Sequence, residues 1–197
     1  MASTSPSDVP GTAISAAHRV LELALARPAT LGDSRLVCID GPAGSGKTTL
    51  ADQVAALSPG TLVVHTDDLL AGWDGLPGLP ATIETLLRPL AAGAAGSYRR
   101  FDWHADRRAE TVPIPPRPLL VLEGVGAGAL PTAPFATLLV WVEAPYDVRM
   151  RRGLDRDGDV FAPHWEKWSA AEVEHFARHR TRERADLHLD GEGRLVG

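Results

Sequence analysis

Residues 36–49 read LVCIDGPAGSGKTT. The apolar run at 36–39 predicts a buried parallel strand. It breaks at Asp40-Gly41-Pro42, where a glycine-rich loop begins. Gly41, four residues, Gly46, Lys47 and Thr48 match G-x-x-x-x-G-K-[ST], the pattern of a phosphate-binding P-loop. The chemistry requires these residue types. Gly41, Gly44 and Gly46 let the backbone curl so that successive N–H groups face phosphate oxygens. A helix over 48–57 then adds the positive end of its dipole. Lys47 supplies a point charge for the β- and γ-phosphates, and the Thr48 hydroxyl a ligand for Mg²⁺. The nucleotide-binding segment is therefore Gly41, Pro42, Ala43, Gly44, Ser45, Gly46, Lys47, Thr48 and Thr49. The competing reading is a glycine-rich turn that binds nothing. Against it, the chain is strongly biased to arginine, Lys47 and Lys167 being its only lysines. One of the two stands where the loop needs it.

The rest of the composition sets bounds. A chain of 197 residues suits one domain with a full core, here 12–197 after a small, polar tail over 1–11. A net charge of −5 argues against general nucleic-acid or membrane-surface binding. No run of about 18 apolar residues exists to span a bilayer. Cys38, the single cysteine, falls in the first strand and reads as a small buried apolar group. It has no intrachain disulfide partner, which fits a reducing, cytoplasmic setting.

Apolar periodicity predicts a first helix over 12–27, stopped by Pro28. A second buried strand over 61–65 runs directly into Thr66-Asp67-Asp68. In an open α/β sheet, ligands bind beyond the carboxyl ends of strands, so these carboxylates sit where a substrate would. The alternative is that one of them caps the following segment. Trp73 and Asp74 lie in a glycine- and proline-rich loop over 71–80, and either contact a ligand or cover the core edge. A helix over 81–92 contains Pro89 and is expected to bend there. Aromatics and charges concentrate at 98–108, YRRFDWHADRR, and the proline-rich VPIPPRP follows as a connector. Strands are expected at 119–122, ending in Glu123-Gly124, at 137–142, and briefly at 187–189. Helices are expected over 146–156 and 170–185. Arg149, Arg152 and Arg156 share one face of the former. His175 and His179 lie one turn apart, without a third ligand to make a metal site. The order of strands and helices predicts an α/β fold: three layers, α/β/α, around a doubly wound parallel sheet.

Together these segments resemble the uridine kinase-like family of P-loop kinases, which also includes nicotinamide riboside kinases. The likeness spans about 36–190 and rests on IDGPAGSGKTTLA, TDD, FDWHADRR, LEG, RMRRGLDRD and ADLHLDG. It implies a P-loop NTPase fold with a short arginine-rich lid, at about 149–165. It implies an ATP- and Mg²⁺-dependent phosphotransferase acting on a hydroxyl of a nucleoside-like or other small metabolite. Asp67 then matches the family's proton-accepting aspartate, and Glu123, with Thr48, the metal position. Lys47, Arg152 and Arg156 would act on the transferring phosphoryl group. Asp68, Trp73, Phe101, Asp102, His104, Arg108 and Arg149 would face the acceptor. FDWHADRR departs from the family's Y-D-x-x-x-H-x-R: Phe101 replaces tyrosine, Asp106 stands at the histidine position, and His104 comes two residues early. A different class stays open, a P-loop ATP-binding switch or regulatory ATPase acting through a protein partner. No N-K-x-D guanine motif is present, and the third strand ends in Glu-Gly rather than Asp-Glu.

Overall fold

The structure is a computed structural model describing residues 15–157 and 162–196, with only the backbone of Arg156, Asp157 and Ala162. The expected tail over 1–11 and residues 158–161 of the expected lid lie outside these residues. β1 (Arg35–Asp40) is the middle strand of a five-stranded sheet. With β2 (Leu62–His65), β5 (Leu119–Glu123), β6 (Leu138–Glu143) and β7 (Leu187–Asp190) it forms the order β2-β5-β1-β6-β7. Every pairing is parallel. Side chains alternate between faces with period two. Leu36 and Cys38 enter one core with Leu120, Leu122 and Leu139. Val37 and Ile39 enter the other with Val121, Val140 and Val142. Burial on both faces is why these strands read as unbroken apolar runs.

Helices close the two faces. α1 (Ala16–Leu25) and α2 (Lys47–Leu57) cover the second core through Val20, Ala24, Leu50 and Val54. Ser15 caps α1, its hydroxyl accepting from the His18 N–H at 3.4 Å. α4 (Leu79–Ala91) and α6 (Trp165–His179) cover the first core. Pro89 sits in the last turn of α4, which runs on to Ala91. An interior proline costs a helix about 3 kcal/mol. Ile83, Leu86, Leu87 and Leu90 are all buried here. At about 1.5–3 kcal/mol for each such side chain, their packing outweighs that cost.

Three segments differ from the sequence reading. Residues 98–108 and the start of the proline-rich connector form an antiparallel hairpin, β3 (Gly96–Asp102) and β4 (Arg107–Ile114). Tyr98 and Phe101 turn inward while Ser97 and Arg99 face out. A register shift between Arg99 and Phe101 and the dense charges hide that alternation in the sequence. Pro113 pairs with Ser97 in this two-stranded sheet, where a missing amide is tolerated. Thr66 to Leu69, read as a strand end, close into a short helix, α3 (Thr66–Leu69). The helix expected over 170–185 begins at Trp165 and breaks at Arg180, whose φ of 48° is left-handed. α7 (Thr181–Arg184) follows. No glycine or proline marks that break. No helix among the described residues is long and apolar enough to cross a membrane.

His175 of α6 is buried, and its Nε2 has no hydrogen-bond partner among the described residues. Burial pushes its pKa down to about 4, and His179 and Arg178 push the same way. The folded state therefore binds fewer protons than the unfolded chain between about pH 4 and 6.5. Its contribution to stability is complete above pH 6.5 and is lost as pH falls toward 4. Buried Asp40, raised to about 6, works in the opposite direction as pH rises from 3.8 through 6. The difference between wild type and His175→Gln isolates the histidine. Urea midpoints at pH 7 and pH 4.5 should show a smaller acid loss in the variant than in wild type.

Candidate functional site

Asp40 ends β1, and its buried carboxylate organises the loops that follow two strands. Oδ1 accepts from the N–H groups of Gly41 at 2.7 Å and Gly126 at 2.9 Å, and Oδ2 from Gly128 at 2.8 Å. Burial raises its pKa to about 6 against the opposing pull of these N–H groups. The P-loop entrance is thereby tied to the loop after β5. Gly44 has φ 76° and Gly46 φ 105°, conformations that favour glycine. A Cβ on Gly44 would also lie 2.5 Å from the Arg149 carbonyl oxygen, so the loop closes against the arginine helix.

Lys47 is buried, and its Nζ donates to the Pro42 carbonyl at 2.9 Å across the loop. Ser45 is buried too, and its Oγ has no partner among the described residues. α2 starts without a side-chain cap, which leaves its first N–H groups to an anion. Thr48 and Thr49 are exposed on that first turn.

The carboxyl ends of β2 and β5 meet because His65 and Glu123 are register partners. His65 Nδ1 lies 2.5 Å from Glu123 Oε1, and the Thr48 hydroxyl donates to the same oxygen at 3.2 Å. The bond to Glu123 holds His65 above the usual imidazole range, although burial opposes it. Glu123 Oε2 is buried without a partner among the described residues. A carboxylate oxygen in that state suits a cation. Thr48 and Glu123 therefore fit a site that would hold Mg²⁺. Among the described residues no group of three His, Cys, Asp or Glu makes a metal site alone.

Asp67 and Asp68 lie in the first turn of α3, which starts directly after β2. Asp67 is exposed, and its backbone carbonyl accepts from Trp103 Nε1 at 3.1 Å. Asp68 accepts from the Tyr98 hydroxyl at 3.3 Å, and burial with this acidic neighbour pushes the tyrosine up to about 12. An aromatic cluster stands beside them. Trp73 stacks on His164 with centroids 4.5 Å apart and meets Trp103 edge-on at 5.1 Å. Phe101, buried, packs edge-on against Trp103 at 5.1 Å. Asp74 pairs with Lys167 at 2.6 Å.

Other members of FDWHADRR hold the hairpin. Asp102 Oδ1 accepts from the N–H groups of His104 and Ala105, both at 3.0 Å, which keeps its carboxyl below the usual range. His104 is exposed at that turn. Arg108 lies over Phe101 at 5.9 Å and donates to the Arg99 carbonyl at 2.8 Å and the Leu69 carbonyl at 3.1 Å.

α5 (Tyr146–Asp157) carries the arginines. Arg149 is buried against the P-loop, donating to the Ala43 carbonyl at 3.3 Å. Arg152 is exposed and donates to the Gly44 carbonyl at 3.3 Å. The Arg156 side chain lies outside the described residues. A cleft of about 1080 Å³ opens beside the P-loop, lined by Gly46, Gln53, Arg152, Asp190 and Arg194, with Arg19 of α1 at its edge. This is where ADLHLDG ends. It gives α1 a place at the site that the sequence did not suggest.

The same architecture occurs in a solved structure described as a possible uridine kinase from Bacillus stearothermophilus. The two share 21% identity with a TM-score of 0.63, over 89% of this chain and 97% of that one. The likeness is one of fold, a parallel sheet with helices on both faces. TT1252 from Thermus thermophilus (18% identity, TM-score 0.43, 79% of this chain and 87% of that one) also matches. So does the YGR205w protein (10%, 0.44, 93% and 97%). No protein-family model and no curated protein matches the chain.

Two residues here gave no signal in sequence. Asp40 read as the point where a strand breaks, and His65 as the last residue of an apolar run. Each acquires its role from partners at least 58 positions away. Asp40→Asn keeps the size but offers one acceptor oxygen for three N–H groups. It should destabilise the protein by about 1–3 kcal/mol, read from urea denaturation with an unchanged m-value.

Proposed function

We propose that the protein transfers the γ-phosphoryl group of ATP, with Mg²⁺, to a hydroxyl of a nucleoside-like or other small metabolite. The observation that carries this reading is the buried Glu123 Oε2, without a partner among the described residues and held beside the Thr48 hydroxyl at the mouth of a P-loop. Lys47 and the N–H groups at the start of α2 bind the donor phosphates. Mg²⁺, held by Thr48 and Glu123, would neutralise charge on the β- and γ-oxygens. The cleft beside Asp190 takes the rest of the nucleotide. Asp67 stands on a short helix fixed to the end of β2, next to the strand that carries Glu123. It orients the acceptor hydroxyl and accepts its proton. The hydroxyl oxygen bonds to the γ-phosphorus as the bond to the β–γ bridging oxygen breaks, and ADP leaves. Arg152 lies at the rim of the loop, suited to charge on the transferring group, and Arg156 follows it one turn later on α5. Trp73, Trp103 and Phe101 wall the acceptor side and exclude water, which otherwise would compete as acceptor.

Transfer from labelled ATP with Mg²⁺, across nucleosides, ribosides and sugar alcohols, tests the reading. A single phosphorylated product is expected. ATP turnover that ignores every acceptor but rises with a protein partner would overturn it in favour of a regulatory ATPase. Lys47→Ala should cost about 3 kcal/mol or more of transition-state stabilisation, seen as at least a roughly hundredfold loss in kcat/KM. Asp67→Asn should leave ATP affinity near wild type while product formation collapses. Equal loss of both would assign Asp67 to binding or folding instead of proton transfer.

A further inference from the structure

Glu172 lies in the middle of α6 and is 2% exposed. A buried carboxylate is costly unless hydrogen-bonded and paired, so its partners identify what it is for. Oε1 accepts from the Ala43 N–H at 2.7 Å and from Trp168 Nε1 at 2.8 Å. Oε2 faces Arg149 Nη1 at 3.6 Å. The same Nη1 donates to the Ala43 carbonyl at 3.3 Å, and Arg149 Nε donates to the Ala144 carbonyl at 3.2 Å. The Arg149 guanidinium is itself held over the rings of Tyr146 at 5.6 Å and Trp165 at 5.8 Å. Ala43 is thus gripped at both its polar groups, the N–H by a carboxylate and the carbonyl by the guanidinium paired with it. Helices α5 and α6 brace the first half of the P-loop from outside.

We propose that Glu172 is a positioning residue for donor binding, holding the Ala43 peptide with Arg149 so that the P-loop is shaped before phosphate arrives. A phosphate-binding loop works through several N–H groups aimed at one point. A loop that must be ordered by its ligand loses affinity to that ordering. The bond to Glu172 commits the Ala43 N–H outward and leaves the uncapped N–H groups at the start of α2 for the anion. Charge-assisted hydrogen bonds of this kind are the stronger ones, so the grip is firm without a ligand. The motif pattern specifies the glycines, Lys47 and Thr48 but says nothing of a brace contributed more than a hundred residues later.

This inference rests on the P-loop being an ATP site, and the test separates the two. Calorimetric titration of the full chain with Mg²⁺ and ATP is compared for wild type, Glu172→Ala and Glu172→Gln. Glu172→Ala should weaken ATP binding by about tenfold, the equivalent of one lost hydrogen bond. Glu172→Gln retains an acceptor for the Ala43 N–H and should recover to within about threefold of wild type. The Ala43 amide proton, read by NMR without nucleotide, should lie downfield in wild type and move upfield in both variants. Wild type that binds no ATP overturns the ATP-site reading. Wild type that binds while Glu172→Ala binds within twofold overturns the inference alone. An Ala43 amide unmoved in Glu172→Gln also overturns it, and that readout stands even where the alanine variant does not fold.

Discussion

The site depends on one buried carboxylate at the end of the central strand. Asp40 receives three backbone N–H groups, one from the P-loop and two from the loop after β5. Those loops leave neighbouring strands, and without a shared acceptor their amides would be buried and unpaired at a cost of about 1–3 kcal/mol each. The carboxylate satisfies them and fixes the spacing between the phosphate loop and Glu123. The tightness of Gly41, Gly44 and Gly124 follows. Each takes a positive φ, and a side chain there would strike the neighbouring chain.

The two sides of the site are built differently. The P-loop side is backbone held by charges: Asp40 beneath the loop, Glu172 and Arg149 around Ala43, Lys47 bridging to Pro42. The side toward Asp67 and Asp68 is aromatic, with Trp73, Trp103, Phe101 and His164 packed together. The two meet at Trp168, which donates to Glu172 and lies edge-on to Trp73 at 6.0 Å. The residues expected to face the acceptor divide between the two. Trp73 and Phe101 belong to the aromatic side, with Asp68 close by. Asp102 bonds the hairpin backbone, Arg108 bonds the Arg99 and Leu69 carbonyls, and Arg149 bonds the P-loop.

Strong local signals were legible in the chain. The strand, glycine loop and helix around Lys47 follow from sterics and periodicity within some twenty residues, as do the apolar strands ending in His65 and Glu123. The hairpin was not legible, because a register shift and clustered arginines mask its alternation. Nor was the break at Arg180, since a left-handed non-glycine residue leaves no trace in composition. Tertiary contacts accompany both: β3 packs on α3 and α4, and Arg184 of α7 donates to the Gly128 carbonyl.

The sequence by itself determined an α/β fold with a phosphate loop after its first strand, because backbone conformation and side-chain period are local properties. Only the tertiary structure decided what each charge does. The sheet register sets His65 against Glu123, and the docking of α6 buries Glu172 against Ala43. A carboxylate's role follows from which amides and cations surround it once water is excluded, and that company is assembled from across the whole chain.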